Sequence, residues 1–233
     1  MRLRVMTWNI HACVGTDSRY DPGRIADVIR EQQPDVVALQ EVDWRSPHHD
    51  GLDQFAFLTR ELDMTGVEGP NLSDHRGDYG NALLTTLTVR DVNRIDLSVD
   101  AREPRGAMDV HLTHEGQHLR VVVTHLGLKH AERIEQVHRI ASAIDEGPSA
   151  DARILLGDLN LWFPSRLALR TLVPDHFHQE HAPRSWPTRF PLLRLDRVLV
   201  HPEPDEAHVR TLRTKHTRLA SDHLPVVADL QWA

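Results

Sequence analysis

Polar residues that can bind a metal ion or move a proton stand at the ends of several apolar, β-prone stretches of the sequence. Seven residues occupy such positions: Asn9, Glu41, His125, Asp158, Asn160, Asp222 and His223. Loops gather at strand ends, and binding sites form there. One such residue would mean little, but the repetition predicts a single edge of the fold where these side chains converge.

The types of these residues favour metal-assisted hydrolysis of a phosphoester. A hard divalent cation prefers oxygen ligands, so Glu41 and Asn9 could hold one, with Asp222 nearby. Such an ion neutralises charge on the phosphoryl oxygens while water attacks in line. A histidine can deprotonate that water near neutral pH. Asp196 is the candidate that orients the histidine, because an acid in an otherwise apolar strand is costly without a partner.

The elements that must position these residues alternate between strands and helices. Ten strands are predicted, at 2–10, 35–42, 79–86, 88–95, 107–113, 118–125, 153–156, 194–201, 207–213 and 224–232. Helices are predicted from Asp21-Pro22 to just before Pro34 and at 52–62, 131–145 and 167–173.

The connections between these elements complete the sequence-based expectation. The segment 64–78 is expected to be a long loop, because it is rich in Gly, Asn, Asp and Ser, and Glu115-Gly116 is expected to be a hairpin turn. The strand pattern suggests two halves, 1–105 and the remainder, that each supply a sheet. No linker or repeat interrupts the chain, so we predict a single α/β domain over 1–233.

The cysteine content and hydropathy limit where the protein can work. Cys13 is the only cysteine, which rules out a disulfide framework within the chain and a cysteine-based zinc site. This fits a reducing compartment, and we expect a cytoplasmic protein. No stretch approaches the ~20 apolar residues of a membrane span, and the first ten residues do not form the apolar core of a signal peptide. We therefore expect a soluble protein or one attached to a membrane surface.

The charge distribution is uneven. The net charge of −7 and the pI near 6.2 argue against a protein that grips long nucleic acids with a broad basic face. The C-terminal third is nevertheless rich in basic residues, among them Arg184, Arg189, Arg194, Arg197, Arg210, Arg213, Lys215 and Arg218. They could form a local patch that receives a phosphate-bearing substrate, or they could be a solvated arginine-rich surface.

Seven short motifs occur in a fixed order along the chain. They are Thr7-Trp8-Asn9-Ile10-His11, Gln40-Glu41-Val42, Tyr79-Gly80-Asn81-Ala82-Leu83-Leu84, Thr124-His125-Leu126, Gly157-Asp158-Leu159-Asn160, Leu195-Asp196-Arg197 and Ser221-Asp222-His223-Leu224-Pro225. Each motif alone is weak, but together they resemble the endonuclease/exonuclease/phosphatase superfamily over nearly the full length. The resemblance implies a four-layer α/β/β/α sandwich, with two mixed sheets face to face and helices outside.

The resemblance also implies a metal site with Mg²⁺, for which Mn²⁺ can substitute. Glu41 resembles the main metal carboxylate, Asn9 lies beside it, and Asp222 resembles a further carboxylate of the metal site. Asp158 resembles the residue that aligns or helps to activate the attacking water. Asn160 resembles a contact to the phosphate or the metal site.

The remaining implied roles concern protons and the phosphate. His223 resembles the catalytic histidine, as base or phosphate ligand, and Asp196 resembles its orienting partner. Whether His223 or Asp158 is the base stays open. His125 resembles a second phosphate contact or a general acid for the leaving oxygen, and Asn81 and Arg105 resemble positions near the scissile phosphate.

The substrate is left open by the sequence. Nucleic acid, a phospholipid headgroup and a small phosphoester all suit the same chemistry, and no obligate protein partner is evident. Gly127-Leu128 and the segment 190–197 resemble a compact bacterial subgroup that is often encoded near cardiolipin synthase genes, an association with membrane-related phosphoesters. The alternative to an enzyme is an inactive binding scaffold of the same fold, which would be expected to have lost these polar residues.

Two other groups of residues suggest further sites. His176, His178 and His181, with Asp175 and Glu180, could bind a transition metal, but their spacing matches no compact zinc motif, so we expect a solvated loop. The run His48-His49-Asp50 is likewise expected to be an exposed loop. The aromatic residues Trp44, Trp162, Phe163 and Trp186 could stack on a base or contact lipid, but we favour packing in the core or at the rim of the site.

Overall fold

A computed structural model describes residues 1–45, 52–75, 77–162, 169, 171–172 and 175–233, and within them the chain forms two six-stranded sheets. The first sheet contains β1 (Arg2–Asn9), β2 (Val36–Asp43), β3 (Thr65–Asp74), β4 (Gly77–Thr85), β11 (Glu206–Thr211) and β12 (Val226–Gln231), in the order β11-β12-β1-β2-β4-β3. The second contains β5 (Thr88–Asp96), β6 (Gly106–His114), β7 (Gln117–His125), β8 (Ala152–Asp158), β9 (Gln179–His181) and β10 (Asp196–His201), in the order β5-β6-β7-β8-β10-β9.

Both sheets are mixed. In each sheet one central pair is parallel, β1 with β2 and β7 with β8, and the other neighbouring strands are antiparallel. The helices are α1 (Pro22–Gln32), α2 (Gln54–Leu62), α3 (His130–Glu146) and the single turn α4 (Thr217–Ala220). Within the described residues, no helix combines the length and the apolar character needed to cross a bilayer.

Three apolar clusters define four layers. Alternate residues of β1, β2, β7, β8 and β10 fill the space between the two sheets. The outer face of the first sheet packs against α1 and α2, and the outer face of the second packs against α3. This arrangement confirms the α/β/β/α sandwich.

Local sequence signals explain several element boundaries. The Asp21 carboxylate accepts the backbone N–H of Arg24, and Pro22 occupies the first helical position, so α1 begins where the cap predicts. The helix ends at Gln33, which has a left-handed backbone, just before Pro34. Glu115 and Gly116 both have positive φ and form the hairpin turn between β6 and β7, as expected.

The prediction of a loop at 64–78 was wrong. Residues 65–74 form β3, and β4 begins at Gly77. Because β3 lies at the edge of its sheet, it tolerates Gly and Pro that a central strand would exclude. The register of β3 against β4 shifts between Pro70 and Leu72, as expected of a bulge that accommodates a proline.

The suggested division near residue 105 was also wrong. β5 belongs to the second sheet although it precedes that boundary, and β11 and β12 return to the first sheet. Periodicity indicates which face of a strand is buried, but it does not identify the strand's neighbours. The helix predicted at 167–173 and the segment His48-His49-Asp50 fall largely or entirely outside the described residues.

Candidate active site

The space between the sheets is apolar at one end and polar at the other. Along β7 the inward residues Val121 and Val123 are followed by His125, and along β8 Ile154 and Leu156 are followed by Asp158. Side chains at every second position share a face of a strand. His125 pairs in register with Asp158, and Asp158 pairs with Asp196 of β10, so three chemically active side chains stand side by side on the inner face.

Asp158 lies at the centre of the polar end. Its Oδ2 lies 3.3 Å from Asn9 Nδ2, 3.5 Å from His125 Nε2 and 3.7 Å from His223 Nε2. Its Oδ1 accepts the backbone N–H of Asn160 at 2.9 Å, which fixes the carboxylate. The structure therefore brings residues of β1, β7, β8 and the loop before β12 to one buried carboxylate.

His223 forms a buried pair with Asp196. The Nδ1 of His223 lies 2.9 Å from Asp196 Oδ2, and the Asp196 side chain is fully buried. Burial by itself lowers the pKa of His223. The charges of Asp196, Asp158 and Asp222 and the hydrogen bond to Asp196 outweigh burial and raise that pKa to about 10. This raised pKa favours the protonated ring near neutral pH, and its Nε2 lies 3.7 Å from Asp158 Oδ2.

His125 has the opposite electrostatic environment. Burial is the main cause that lowers its pKa to about 3, Arg105 and His223 lower it further, and Asp158 opposes them. Arg105 Nη1 lies 3.3 Å from Nδ1. A guanidinium can only donate, so the Arg105 contact favours a neutral ring with the proton on Nε2, although the amide nitrogen of Asn160, itself a donor, also lies 3.1 Å from Nε2. A neutral imidazole of this kind suits the phosphate contact better than the general acid, the two roles that the sequence left open.

Asn9 connects Glu41 to Asp158. Its Nδ2 donates to Glu41 Oε1 at 2.8 Å and lies 3.3 Å from Asp158 Oδ2, while its Oδ1 accepts the N–H of His11 at 3.1 Å. Glu41 has a φ of 58°, and the register of β2 against β4 shifts between Leu39 and Val42. This irregularity lets Glu41 face the site at the strand end, since a bulge re-aims a side chain.

The oxygen donors fit a hard divalent cation. Burial is the main cause that raises the pKa of the Glu41 carboxyl, and the Asn9 hydrogen bond opposes it. Ligand atoms of Asp158, Asp196 and His223 also lie within 4.8 Å of one another. Negative charge held in a poorly solvated place is what a bound cation would stabilise, and oxygen ligands are those that Mg²⁺ prefers.

The remaining predicted residues lie around this centre. Asn160 donates through Nδ2 to Leu126 O at 2.9 Å, and that nitrogen lies 3.1 Å from His125 Nε2. Asn81 donates to Gly106 O at 3.2 Å, and its Oδ1 is buried without a partner among the described residues. Asp222 stands apart from the three-residue cluster, since its Oδ2 accepts the indole N–H of Trp186 at 3.1 Å. Its role as a metal ligand stays a prediction.

Two residues that lie at the site were not singled out by the sequence reasoning, Ser221 and Tyr79. Ser221 Oγ donates to Asn9 O at 2.7 Å and accepts the N–H of His223 at 3.1 Å, so it joins β1 to the loop before β12. Burial and the nearby charge of Glu41 raise the pKa of the Tyr79 phenol. Trp186, which the sequence placed in the core or at the rim of the site, donates to Asp222, and its ring centroid lies 6.4 Å from that of His223. Ser221 and Tyr79 belong to motifs whose signal was visible, but no chemical role distinguished them from their neighbours.

The other candidate groups have structural surroundings. His176 is buried, not solvated as expected, and its Nδ1 lies 3.6 Å from Asp145 Oδ1, while the His178 ring packs against His201. Within the described part of the chain, the histidine group does not bring three ligand atoms together. Trp44 packs in the core against Phe55, and Phe163 lies outside the described residues.

Comparisons with known proteins place this geometry in a family. The sequence profile described as the endonuclease/exonuclease/phosphatase family matches residues 6–223. The uncharacterized protein YbhP of Escherichia coli K12 is 28% identical over 97% of this chain and 95% of its own length.

Solved structures of the same description share the fold. A protein from Beutenbergia cavernae is 26% identical, with a TM-score of 0.76 over 100% of this chain and 72% of the other. One from Bacteroides vulgatus is 20% identical, with a TM-score of 0.79 over 100% of both chains, and at that identity it shows the fold alone. The match of the profile to nearly the whole chain and the strand-end polar site lead to the same conclusion: the chain belongs to the endonuclease/exonuclease/phosphatase family.

Proposed function

We propose that the protein is a divalent-metal-dependent phosphoester hydrolase of the phosphodiesterase or nuclease type. The observation that carries the proposal is the buried Asp158, which faces Asn9, a neutral histidine and a histidine paired with Asp196. Phosphoester hydrolysis needs a water to be oriented, a developing charge to be stabilised and a proton to be moved. These side chains can supply all three.

The metal site would be formed by Glu41 and Asn9, with Asp222 as a further carboxylate. Mg²⁺, for which Mn²⁺ can substitute, would neutralise charge on the phosphoryl oxygens and lower the pKa of a bound water. Asn9 hydrogen-bonds to Glu41 through Nδ2 and holds its carboxylate at the site.

The two histidines would make different contacts to the phosphate. Asp196 holds His223 through Nδ1, which leaves Nε2 to contact the phosphoryl group or the attacking water. Asp158 accepts from Asn160 through Oδ1 and keeps Oδ2 toward both histidines, where it can orient that water. Neutral His125 would donate Nε2–H to a phosphoryl oxygen, because Arg105 occupies Nδ1.

A phosphatase or phosphodiesterase acting on a phospholipid or a small molecule is the alternative within the same chemistry. An inactive scaffold is disfavoured, because the polar side chains stay buried together at a cost that a scaffold would not need. We also propose a cytoplasmic location, because the single thiol, Cys13, is buried and takes part in no disulfide.

The test is hydrolysis of a panel by the purified protein with Mg²⁺, Mn²⁺ or EDTA. The panel contains an aryl phosphodiester, an aryl phosphomonoester, plasmid DNA, RNA and mixed phospholipids. Glu41→Ala/His223→Ala removes the proposed metal carboxylate and histidine, and Glu31→Ala/His138→Ala changes the same residue types at exposed helix positions. We expect metal-dependent turnover that survives in the control variant and is lost in the site variant. Turnover that persists in EDTA or in the site variant would contradict the proposal.

A further inference from the structure

Large apolar side chains that face solvent are concentrated on the loops and the short helix α4 that lie next to site residues in the chain. Within the described residues they are Leu128, Trp162, Phe190, Leu192 and Leu219. Leu128 follows His125, Trp162 follows Asn160, and Leu219 precedes Asp222 along the chain. Scattered exposed apolar residues are normal, but a group that surrounds one site marks an interaction surface.

Phe190 and Leu192 lie on an ordered loop next to the catalytic histidine. The backbone N–H groups of Leu192 and Leu193 donate to Trp186 O at 2.9 and 2.8 Å. The N–H of Thr188 donates to Asp222 O at 2.8 Å, which ties the loop to the catalytic segment. This backbone nevertheless leaves Phe190 69% and Leu192 56% exposed. The two side chains are therefore held toward solvent at the mouth of the site.

A basic cavity lies beside this loop. It has a volume of about 500 Å³, and four cationic residues line it: Arg189, Arg213, Lys215 and Arg218. Arg213 Nη2 donates to Arg189 O at 3.3 Å, so the cavity adjoins the residue that precedes Phe190. No acidic residue is among the described residues that line it. In a chain with a net charge of −7, this local excess of positive charge is not the average surface.

We propose that Phe190, Leu192, Leu219 and the four basic residues form one surface, the apolar–basic rim, which docks on an anionic lipid bilayer. Apolar side chains next to Lys and Arg suit the boundary between headgroups and acyl chains. A nucleic acid would use the cations, but the aliphatic Leu192 and Leu219 have no π-face for stacking on bases. Docking would place the active site against the headgroups. The substrate class would then be a lipid headgroup phosphoester, a consequence that rests on the proposed function.

Binding is measured by co-sedimentation with vesicles in EDTA, so that no turnover is needed. Vesicles of phosphatidylcholine alone are compared with vesicles that contain phosphatidylglycerol. Lys215→Glu/Arg218→Glu reverses two charges of the rim, and Phe190→Ala/Leu192→Ala removes its apolar side chains. The control variant, Arg60→Glu/Arg90→Glu, makes the same charge change at exposed positions of α2 and β5 that are not part of the rim. We expect binding only to anionic vesicles, weakened by about fivefold or more for each rim charge reversed and unchanged in the control.

A fluorescent label tests the geometry directly. Cys13 is buried, and burial raises the pKa of its thiol, so it does not compete for a thiol-reactive dye. A polarity-sensitive dye on Phe190→Cys should shift to the blue on anionic vesicles, and the same dye on Arg60→Cys should not. Equal shifts at both positions, or no binding to anionic vesicles, would overturn the proposal. Binding of a single-stranded oligonucleotide through Lys215 and Arg218, without vesicle binding, would also overturn it and assign the rim to nucleic acid.

The outcome is independent of the hydrolase test. If the protein hydrolyses soluble phosphoesters but does not bind vesicles, the docking surface is rejected and the proposed function is retained. Vesicle binding through Phe190 and Lys215 by a protein without turnover would reject the proposed function and leave the docking surface standing.

Discussion

At the scale of single residues, two histidines a short distance from one carboxylate are set to opposite protonation states. Both His125 and His223 are buried next to Asp158, and both lose solvation. What differs is the partner at Nδ1, a guanidinium for His125 and the Asp196 carboxylate for His223. Pairs of titratable groups whose surroundings separate their pKa values mark the acid and base roles of a site.

Replacing Asp196 tests this origin of the His223 charge. Asp196→Asn removes the negative charge but keeps an oxygen near Nδ1, so the pKa of His223 should fall from about 10. Imidazole resonances followed by NMR across pH, in EDTA, would show the change. The turnover number should fall by ~10²–10⁴, the usual size of a lost proton-transfer contribution. An unchanged His223 titration would show that Asp196 does not set its charge.

The ionised, buried carboxylate of Glu41 should destabilise the metal-free protein. Its folded pKa is raised, chiefly by burial, so between the unfolded and the folded pKa the native state binds more protons than the unfolded state. Stability must then fall as pH rises through that window. Glu41→Gln removes this dependence and keeps an oxygen for Asn9. In EDTA above the window we expect a Tm higher by ~2–4 °C, about 1 kcal/mol, and a loss of metal-dependent turnover. A lower Tm in calorimetry would contradict this account.

At the scale of elements, the parallel pair β7–β8 sets the separation of His125 and Asp158. Gly157, which precedes Asp158, has a φ of 155°, and a Cβ there would lie 1.9 Å from the carbonyl oxygen of Thr124. The two strands can approach each other at this point only because the residue has no side chain. The Asp158 carboxylate is therefore placed by the backbone of its neighbour as well as by its own contacts.

Gly157→Ala should separate these strands at the site. We expect a destabilisation of ~2–4 kcal/mol and a loss of activity that remains at temperatures where the variant is folded. Gly116→Ala is the matched control, because Gly116 also has a positive φ but no atom lies within 4 Å of its added Cβ. Chemical denaturation of both variants would compare them. A similar small loss in each would mean that strain alone, not the close contact, matters at Gly157.

At the scale of the whole molecule, the last strands complete the sheet that the first strand begins. We propose that 1–233 folds as one domain, because β11 and β12 pair beside β1 and the central strands of both sheets border the shared core. Asp229 of β12 joins the three strands through two ion pairs, with Arg4 of β1 at 2.5 Å and with Arg210 of β11 at 2.6 Å.

The ion pairs of Asp229 should make the free energy of unfolding decrease as the pH falls. Burial raises the pKa of Asp229, but its hydrogen bonds to Arg4 and Arg210 outweigh burial and lower it. A depressed carboxyl pKa gives stability that is present above the unfolded value and lost as pH falls through the folded value. Because the three side chains are about one-third exposed, we expect Asp229→Asn to cost less than about 1 kcal/mol at pH 6, and the cost should decline as the pH falls toward 2. Equal destabilisation at both pH values in thermal unfolding would argue against an ionic origin.

The sequence by itself determined the parts of this protein that depend on local chemistry. The Asp21-Pro22 cap, the Glu115-Gly116 turn and the alternating strands could be predicted, since capping, turn geometry and periodicity act over a few residues. The ordered motifs identified the family. They also singled out Asn9, Glu41, His125, Asp158, Asp196 and His223, which the fold brings together.

Only the tertiary structure decided which elements become neighbours and what their neighbours do to each charge. The Gly- and Pro-containing stretch 65–74 is a strand because it lies at an edge, and β5 joins the second sheet because of its partner β6. The opposite pKa shifts of His125 and His223 depend on burial and on groups distant in the chain, as does the contact of Trp186 with Asp222. Local sequence encodes the face and the residue type, whereas solvation and electrostatic partners exist only once distant strands have packed.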